Sequence, residues 1–429
     1  MKVNVFWFRR DLRIGDNHGL CKALKAGLPV LPIFVFDENI LSELPKNDSR
    51  VTFLYDSLKQ INDELRTVNS SLLIIHTDPL KAWKELFNKY EISEVYANHD
   101  YEPYAIARDE EVRKLLKSNS VEFKTFKDQV IFEKSDVLKG DGSPYTIYTP
   151  FKNKWLEHFS MEKDTAPFDS EDLIQNCLTA DFSFPGMEEI GFIRSDIKVS
   201  PFKKEFVHQY HETRDIPGLD KTTRLGTHLR FGTVSVRQVV KFAVQSNQVF
   251  LSELIWREFF MTILYHFPHV VDKSFRPKYD KIPWINNERQ FQSWCKGETG
   301  YPMVDAGMKE LNQTGFMHNR VRMVVASFLC KHLLIDWRWG EAYFAEKLLD
   351  YELASNNGNW QWAAGTGCDA APYFRVFNPS IQLKKFDPDF AYIKKWLPEF
   401  AQFGYPVPIV EHSFARERAI STYKSALSD

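Results

Sequence analysis

Along roughly the first 130 residues, two hydrophobic patterns alternate. Short apolar runs rich in β-formers fall at Val3–Phe8, Val30–Phe36, Leu72–His76, Glu94–Ala97 and Glu122–Phe126. Between them, near His18–Ala26, Val51–Thr67, Lys81–Lys89 and Ala105–Ser118, apolar residues take helical spacing. Strand followed by helix, repeated, predicts an α/β domain with a parallel, Rossmann-like sheet covered on both faces. The run PVLPIFVF has no polar alternation, as expected of a strand buried on both sides. No GxGxxG follows the first strand. FRRDLRIGDN stands there instead, so the main cofactor is not expected in this domain.

From about Phe132 to Ser195 the pattern breaks up. Gly, Pro, Ser and Asp recur, as in KGDGSPYTIYTP and DFSFPGMEEIG, and predict a long linker with short helices. Beyond it the period is helical at Val234–Ser246, Ser252–His266, Ala306–Leu311, Asn319–Leu334 and Gly340–Leu349. The expected organisation is an α/β domain over 1–131, a linker over 132–195 and an all-α domain over 196–429. No internal repeat or low-complexity tract interrupts it.

Composition narrows the class. At 44% hydrophobic and 26% charged, the 429 residues are those of a globular chain. No apolar run is long enough to cross a bilayer. Charge arrives right after Phe8 and leaves too little room for a secretory signal. Five scattered cysteines without a CxxC pair point away from a disulfide framework or a zinc site and toward a reducing cytoplasm. His208 and His211 lack a third ligand nearby, so no metal is expected.

Charge is also uneven. From Asp196 onward there are 30 Lys+Arg against 25 Asp+Glu, and before it 25 against 32. A basic second half fits contact with a polyanion, although chance alone gives such a bias often enough. Eight of the eleven tryptophans lie after residue 250, which suits core packing, base stacking or a flat cofactor.

Four stretches carry candidate chemistry. Thr222, Thr223, Arg224 and Gly226 make a hydroxyl-rich basic turn, fit for a phosphate or for a plain helix cap. In ELIWREFF a helix places Glu253, Trp256, Arg257 and Phe260 on one face, either as a surface Glu–Arg pair or as a carboxylate held for hydrogen-bond work. Arg322 and Met323 lie in a strongly apolar helix, where an arginine needs a partner, and Asp350 is a candidate. Finally NNGNWQWAAGTG is poor material for a plain helix, and its small residues allow close approach of something flat or a tight helix junction.

Taken together, the segments FWFRRDLRIGDN, TRLGTHLRFG, ELIWREFF, GYPMVDAGMKEL, MHNRVRM and NNGNWQWAAGTGCDAAPYFRVFNP resemble the photolyase/cryptochrome family, in its order and spacing over essentially the whole chain. Within the family the chain is most similar to class I photolyases acting on cyclobutane pyrimidine dimers. The resemblance implies a helical domain that holds FAD in a U shape, reduced in the active state. Tyr210, Thr222, Thr223, Arg224, Leu225 and Gly226 would hold its pyrophosphate. Gly226 stands where the family often has Ser, and Glu352 where it often has Asp. Arg322 and Asp350 would pair against the flavin ring. Asp350, Tyr351 and Glu352 would line flavin and ribose, Arg257 would join the cofactor set, and Asn356 would face flavin N5. Trp360, Trp337 and Trp284 would carry electrons from the surface, with Trp294 and Trp339 as packing.

The resemblance also implies a pocket for damaged DNA. Glu253, Trp256, Asn319, Met323 and Trp362 would line it, and Arg214, Arg320 and Gln382 would contact the strand. The flipped dimer would be split by an electron donated by light-excited reduced FAD, and that electron would then return to the flavin, a lesion being cheaper to unstack than a normal pair. Glu253 favours the cyclobutane lesion over the (6-4) product, and Asn356 favours repair over a cryptochrome-type blue-light sensor. The folate-binding relatives' Tyr-Glu-x-Asn-Glu departs here at Tyr104 and Ala105. An antenna is therefore left open between a deazaflavin, another flavin and none. A monomer is expected.

Overall fold

The computed structural model describes residues 1–401 and 405–428. The chain folds into two units, each with its own core. The first comprises Met1–Asp136, Glu157–Ser200 and Leu225–Gln245; the second comprises Val137–Leu156, Pro201–Arg224 and Ser246–Asp429. The irregular stretch is thus shared between them, and residues 225–245 go with the sheet rather than with the helices that follow.

The first unit is built on β1 (Lys2–Phe8), β2 (Val30–Asp37), β3 (Leu73–Thr77), β4 (Glu91–Asn98) and β5 (Glu122–Phe126). All pairings are parallel, in the order β3-β2-β1-β4-β5. Alternation along the strands feeds two cores. Val3, Val5, Trp7, Leu31, Ile33 and Val95 face one side with Trp83, while Phe6, Phe8, Phe34, Phe36 and Tyr96 face the other with Leu58 and Ile61. Both faces are buried, which is why β2 reads as an unbroken apolar run. Asp48 and Asp78 start helices Ser49–Arg66 and Pro79–Lys89 by accepting from their first backbone N–H groups. The strand order reverses between β1 and β4, and a crevice opens at such a switch point beyond the strands' carboxyl ends.

The second unit is helical. Its main elements are Gln248–His266, Pro302–Thr314, Asn319–Ser327, Trp337–Lys347, Leu353–Ala364 and His412–Ser428. The helix expected over Asn319–Leu334 is α-helical only to Ser327 and continues as a π turn, Phe328–His332. That turn holds Lys331 fully inside, its ammonium donating to the Ala364 carbonyl at the end of Leu353–Ala364.

The expectation for NNGNWQW needs correction. These residues lie in one regular helix, Leu353–Ala364. Its glycine supplies the tertiary reason. A Cβ on Gly358 would sit 2.2 Å from the Phe260 ring, so the missing side chain lets Gln248–His266 pack directly on this helix. Packing of this kind overrides weak intrinsic propensity.

Candidate functional site

Helices Asn319–Ser327 and Leu353–Ala364, with the turn between Lys347 and Leu353, wall a cleft in the helical unit. Its empty volume is about 600 Å³, open mouth included. Asn319, Arg322, Met323, Asp350, Tyr351, Glu352, Asn356, Trp360 and Trp362 all line it. They come from separate stretches of sequence, brought to one surface by helix packing.

The walls carry fixed charge. Nη2 of Arg322 donates to both carboxylate oxygens of Asp350, at 3.1 and 2.9 Å, and its Nε donates to the Met317 carbonyl at 2.7 Å. The guanidinium is thereby locked in direction. Arg257 reaches the cleft from the neighbouring helix by pairing with Glu352 at 3.2 Å. Asn356 turns its amide nitrogen away from the cleft, onto Glu341. The amide oxygen is then left to face a ligand, as an acceptor.

Glu253 and Arg257 share a helix but not a salt bridge. Arg257 pairs with Glu352, and Glu253 pairs with Arg214 at 2.5 Å. The local Glu–Arg pair considered from spacing is thus replaced by two tertiary ones. Burial pushes the Glu253 carboxyl up, and Arg214 partly offsets this. Trp256 is stacked face to face by Tyr148, with centroids 3.6 Å apart and planes within 9°. Tyr148 is held by a hydrogen bond from its hydroxyl to the Ser252 carbonyl. One face of Trp256 is therefore already covered. Arg320 pairs with Asp215 at 2.7 Å and lies over the Phe386 ring. Gln382 sits on the separate helix Pro379–Phe386, half-buried, and does not line the cleft.

The aromatic residues form a packed group. Trp360 is buried, and a Cβ on Gly340 would lie 2.1 Å from its ring. Gly340 is one turn from Trp337 on helix Trp337–Lys347, so Trp360 packs on the helix that carries Trp337. Trp294, assigned to packing from sequence, also meets Trp360 edge-on at 6.2 Å. Trp284 is half-buried and meets the Tyr423 ring at 5.9 Å. Trp339 contacts Phe291.

The residues expected to bind pyrophosphate form a strained turn. Arg224 has a left-handed backbone, φ +57°, costly for a residue with a Cβ. Its guanidinium lies 3.6 Å above the Phe316 ring and pairs with Asp220. The Thr222 hydroxyl and Arg224 Nε are buried without a hydrogen-bond partner among the described residues. Unpaired buried donors of this kind are costly unless a ligand takes them up, and a hydroxyl beside a guanidinium fits a phosphate. Together with the aromatic and charged cleft they fit FAD. Tyr210 is half-buried against Phe250. Leu225 and Gly226 open the short helix Leu225–Phe231, which belongs to the other unit.

The sheet unit has a crevice of its own, at the switch point. About 690 Å³ of empty space is lined by Trp7, Phe8, Phe36, Asp37, Tyr104 and Arg108, among others. The Tyr104 hydroxyl donates to Asp37 at 2.6 Å, and Arg108 lies over the Trp7 ring. Tyr104, which breaks the folate-type motif, thus forms part of the wall. Sequence reasoning missed Tyr148, Asp215 and Glu341. Each meets a partner far along the chain, Trp256, Arg320 and Asn356 respectively, and no local pattern marks them. Among the described residues no group of side chains is arranged to hold a metal, and no helix is long and apolar enough to cross a membrane.

Comparison with known proteins agrees with this geometry. Residues 4–170 match the family model described as DNA photolyase, and residues 250–404 that of the FAD binding domain of DNA photolyase. The deoxyribodipyrimidine photo-lyase of Halobacterium salinarum is 35% identical, across 100% of both chains. An archaeal photolyase from Sulfolobus tokodaii, solved with two FAD molecules, is 36% identical with a TM-score of 0.84, covering 99% of this chain and 100% of that one. A cryptochrome from Synechocystis has a TM-score of 0.86 at 26% identity, covering 98% and 99%. The chain belongs to the photolyase/cryptochrome family, with the family's α/β and helical FAD-binding domains.

Proposed function

We propose that this protein repairs cyclobutane pyrimidine dimers in DNA, driven by light and acting as a monomer in a reducing cytoplasm. The observation that carries the reading is that the helix bearing the half-buried carboxylate of Glu253 also carries, one turn on, Arg257, which pairs with Glu352 in the wall of a cleft fit for FAD. The full-length likeness to proteins named deoxyribodipyrimidine photo-lyase supports it. All five cysteines are unpaired, in keeping with a reducing compartment.

Reduced FAD, when bound, supplies the excited-state electron. The protein's part is binding, orientation and electrostatics. Thr222, Thr223 and Arg224 hold the phosphates, with Tyr210 completing that set. Arg322 and Asp350 fix a charge pair against the flavin ring, while Tyr351, Glu352 and Arg257 close the cleft around it. Asn356 would offer the flavin its amide oxygen, a hydrogen-bond acceptor. Trp360, Trp337 and Trp284 pass electrons inward from the surface. Trp256, with Trp362, Met323 and Asn319, holds the flipped bases, and Glu253 hydrogen-bonds them where negative charge develops. Arg214, Arg320 and Gln382 contact the strand without reading its sequence. In this assignment the sheet unit is the antenna domain and the helical unit binds FAD and DNA. The aromatic crevice at Trp7 and Tyr104 is the seat of a second flat chromophore.

The test is a repair assay with reduced, FAD-loaded protein and oligonucleotides carrying one defined lesion. Loss of the cyclobutane dimer under blue light, and none in the dark, is expected. Loss of the (6-4) product alone would reassign the lesion. Repair of neither would leave the light-sensor reading, which the cryptochrome likeness makes the natural alternative.

A further inference from the structure

The repair function gives Arg214 and Glu253 separate roles, one toward the DNA strand and one toward the lesion. In the structure they touch. Nη1 of Arg214, just past the short helix Tyr210–Thr213, lies 2.5 Å from Oε1 of Glu253 on Gln248–His266. Asp215 lies 3.9 Å from the Nε of Arg214 and holds Arg320 at 2.7 Å. Charges therefore alternate along one line: Glu253, Arg214, Asp215, Arg320. The other groups facing Glu253 are Lys152, on helix Tyr148–His158, and the phenols of Tyr148 and Tyr210. Lys152 and Tyr148 are bound to Ser252 instead, so the direct cationic partner of Glu253 is Arg214.

We propose that Arg214 is a positioning residue for Glu253, and that a DNA phosphate drawing Arg214 away converts Glu253 from an ion-paired carboxylate into a carboxylic acid. The inference rests on the repair function proposed above. A guanidinium binds phosphate and carboxylate through the same forked geometry, so the two compete for it. Arg214 keeps 25% of its side chain exposed, enough for a phosphate to reach. Once it leaves, burial acts on Glu253 with its main counterweight gone. One proton then passes from solvent to the carboxylate, with no electron moved and no other bond broken. The neutral acid gains an O–H donor that the carboxylate lacked, which a carbonyl of the flipped base accepts. Strand binding in this way prepares the group that meets the lesion.

Calorimetry of the FAD-loaded protein in the dark, with an oligonucleotide carrying one cyclobutane thymine dimer, tests this. Titrations in two buffers of different ionisation enthalpy count the protons bound. An uptake of about one proton per complex is expected near neutral pH, so affinity falls by up to about tenfold per pH unit of increase. Glu253→Gln removes the uptake. Arg214→Gln removes it as well, because Glu253 has lost its cation beforehand, whereas Arg214→Lys retains it. Wild type without uptake, or either Gln variant with undiminished uptake, overturns the proposal. If the Arg214 variants do not fold, infrared difference spectra of wild type with and without DNA decide. A new protonated-carboxyl band, absent from Glu253→Gln, supports the proposal, and no band overturns it. Failure of the repair function itself registers separately, as persistence of the dimer when the same wild-type sample is illuminated.

Discussion

The side-chain amide of Asn356 donates to Glu341 twice, to its carbonyl at 3.1 Å and to its carboxylate at 2.8 Å. The two residues lie on facing helices, Leu353–Ala364 and Trp337–Lys347. Burial pushes the Glu341 carboxyl up, and the Asn356 donor pulls it back. The pair orients the amide, so that what Asn356 offers the cleft is decided by a residue outside it.

Asn356→Asp replaces that donor by a second carboxyl close to Glu341. Two such groups cannot both ionise in a half-buried site, and one keeps its proton. A carboxyl whose folded pKa is raised above its unfolded value contributes stability at low pH and loses it as pH rises through the folded value. The thermal midpoint of Asn356→Asp, taken relative to wild type, should therefore be higher near about pH 5.5 than near about pH 8. Equal differences at the two pH values would mean that the carboxyls do not interact.

Gly340→Ala sets two effects against each other. Alanine gains about 0.8–1.0 kcal/mol over glycine within a helix. Its Cβ would, however, lie 2.1 Å from the Trp360 ring and 2.5 Å from Leu329, and overpacking of a filled core costs about 1–3 kcal/mol. The clash should win. Denaturant titration should show net destabilisation, and near-ultraviolet circular dichroism a displaced tryptophan. A more stable variant with an unchanged spectrum would show that the two helices can part freely.

His318 caps helix Asn319–Ser327, the helix bearing Arg322 and Met323, by accepting from the Arg320 N–H through Nδ1. Only the unprotonated nitrogen can accept. Burial pushes its pKa down from 6.5 to about 4. Between those values the unfolded chain binds the proton and the folded one does not, so stability is lost as pH falls from 6.5 toward 4. His318→Asn keeps a capping acceptor that does not titrate. Its melting temperature should fall less than that of wild type over this window, and parallel curves would remove His318 from the acid response.

Much of this was legible in the sequence, for reasons tied to particular residues. The strands of the α/β unit are runs such as Val30–Phe36, whose burial on both faces leaves only apolar side chains to read. Arg322 in an apolar helix demanded a counter-charge, and Asp350 meets it. Where reading by spacing failed, a distant residue had intervened. Arg257 stands four after Glu253, yet the partner of Glu253 is Arg214, brought from a separate turn. The stack on Trp256 comes from Tyr148, more than a hundred positions earlier. NNGNWQW reads as a poor helix until Phe260 is seen lying against Gly358.

Thr222 allows flavin binding to be separated from folding. Among the described residues its hydroxyl is buried and unpaired, and so is the neighbouring Arg224 Nε. Thr222→Val keeps the shape and removes the hydroxyl. In protein stripped of flavin, deleting an unsatisfied buried group is neutral or stabilising by up to about 1 kcal/mol. Toward FAD the sign reverses, because a hydrogen bond to a charged phosphate contributes about 1.5–3 kcal/mol, which is roughly a tenfold to hundredfold change in affinity. The expected result is a flavin-free melting temperature equal to or above wild type, with FAD retained more weakly on dilution or in fluorescence titration. A variant that binds FAD as wild type does would free Thr222 from the phosphate site, and one unstable without flavin would make its hydroxyl structural.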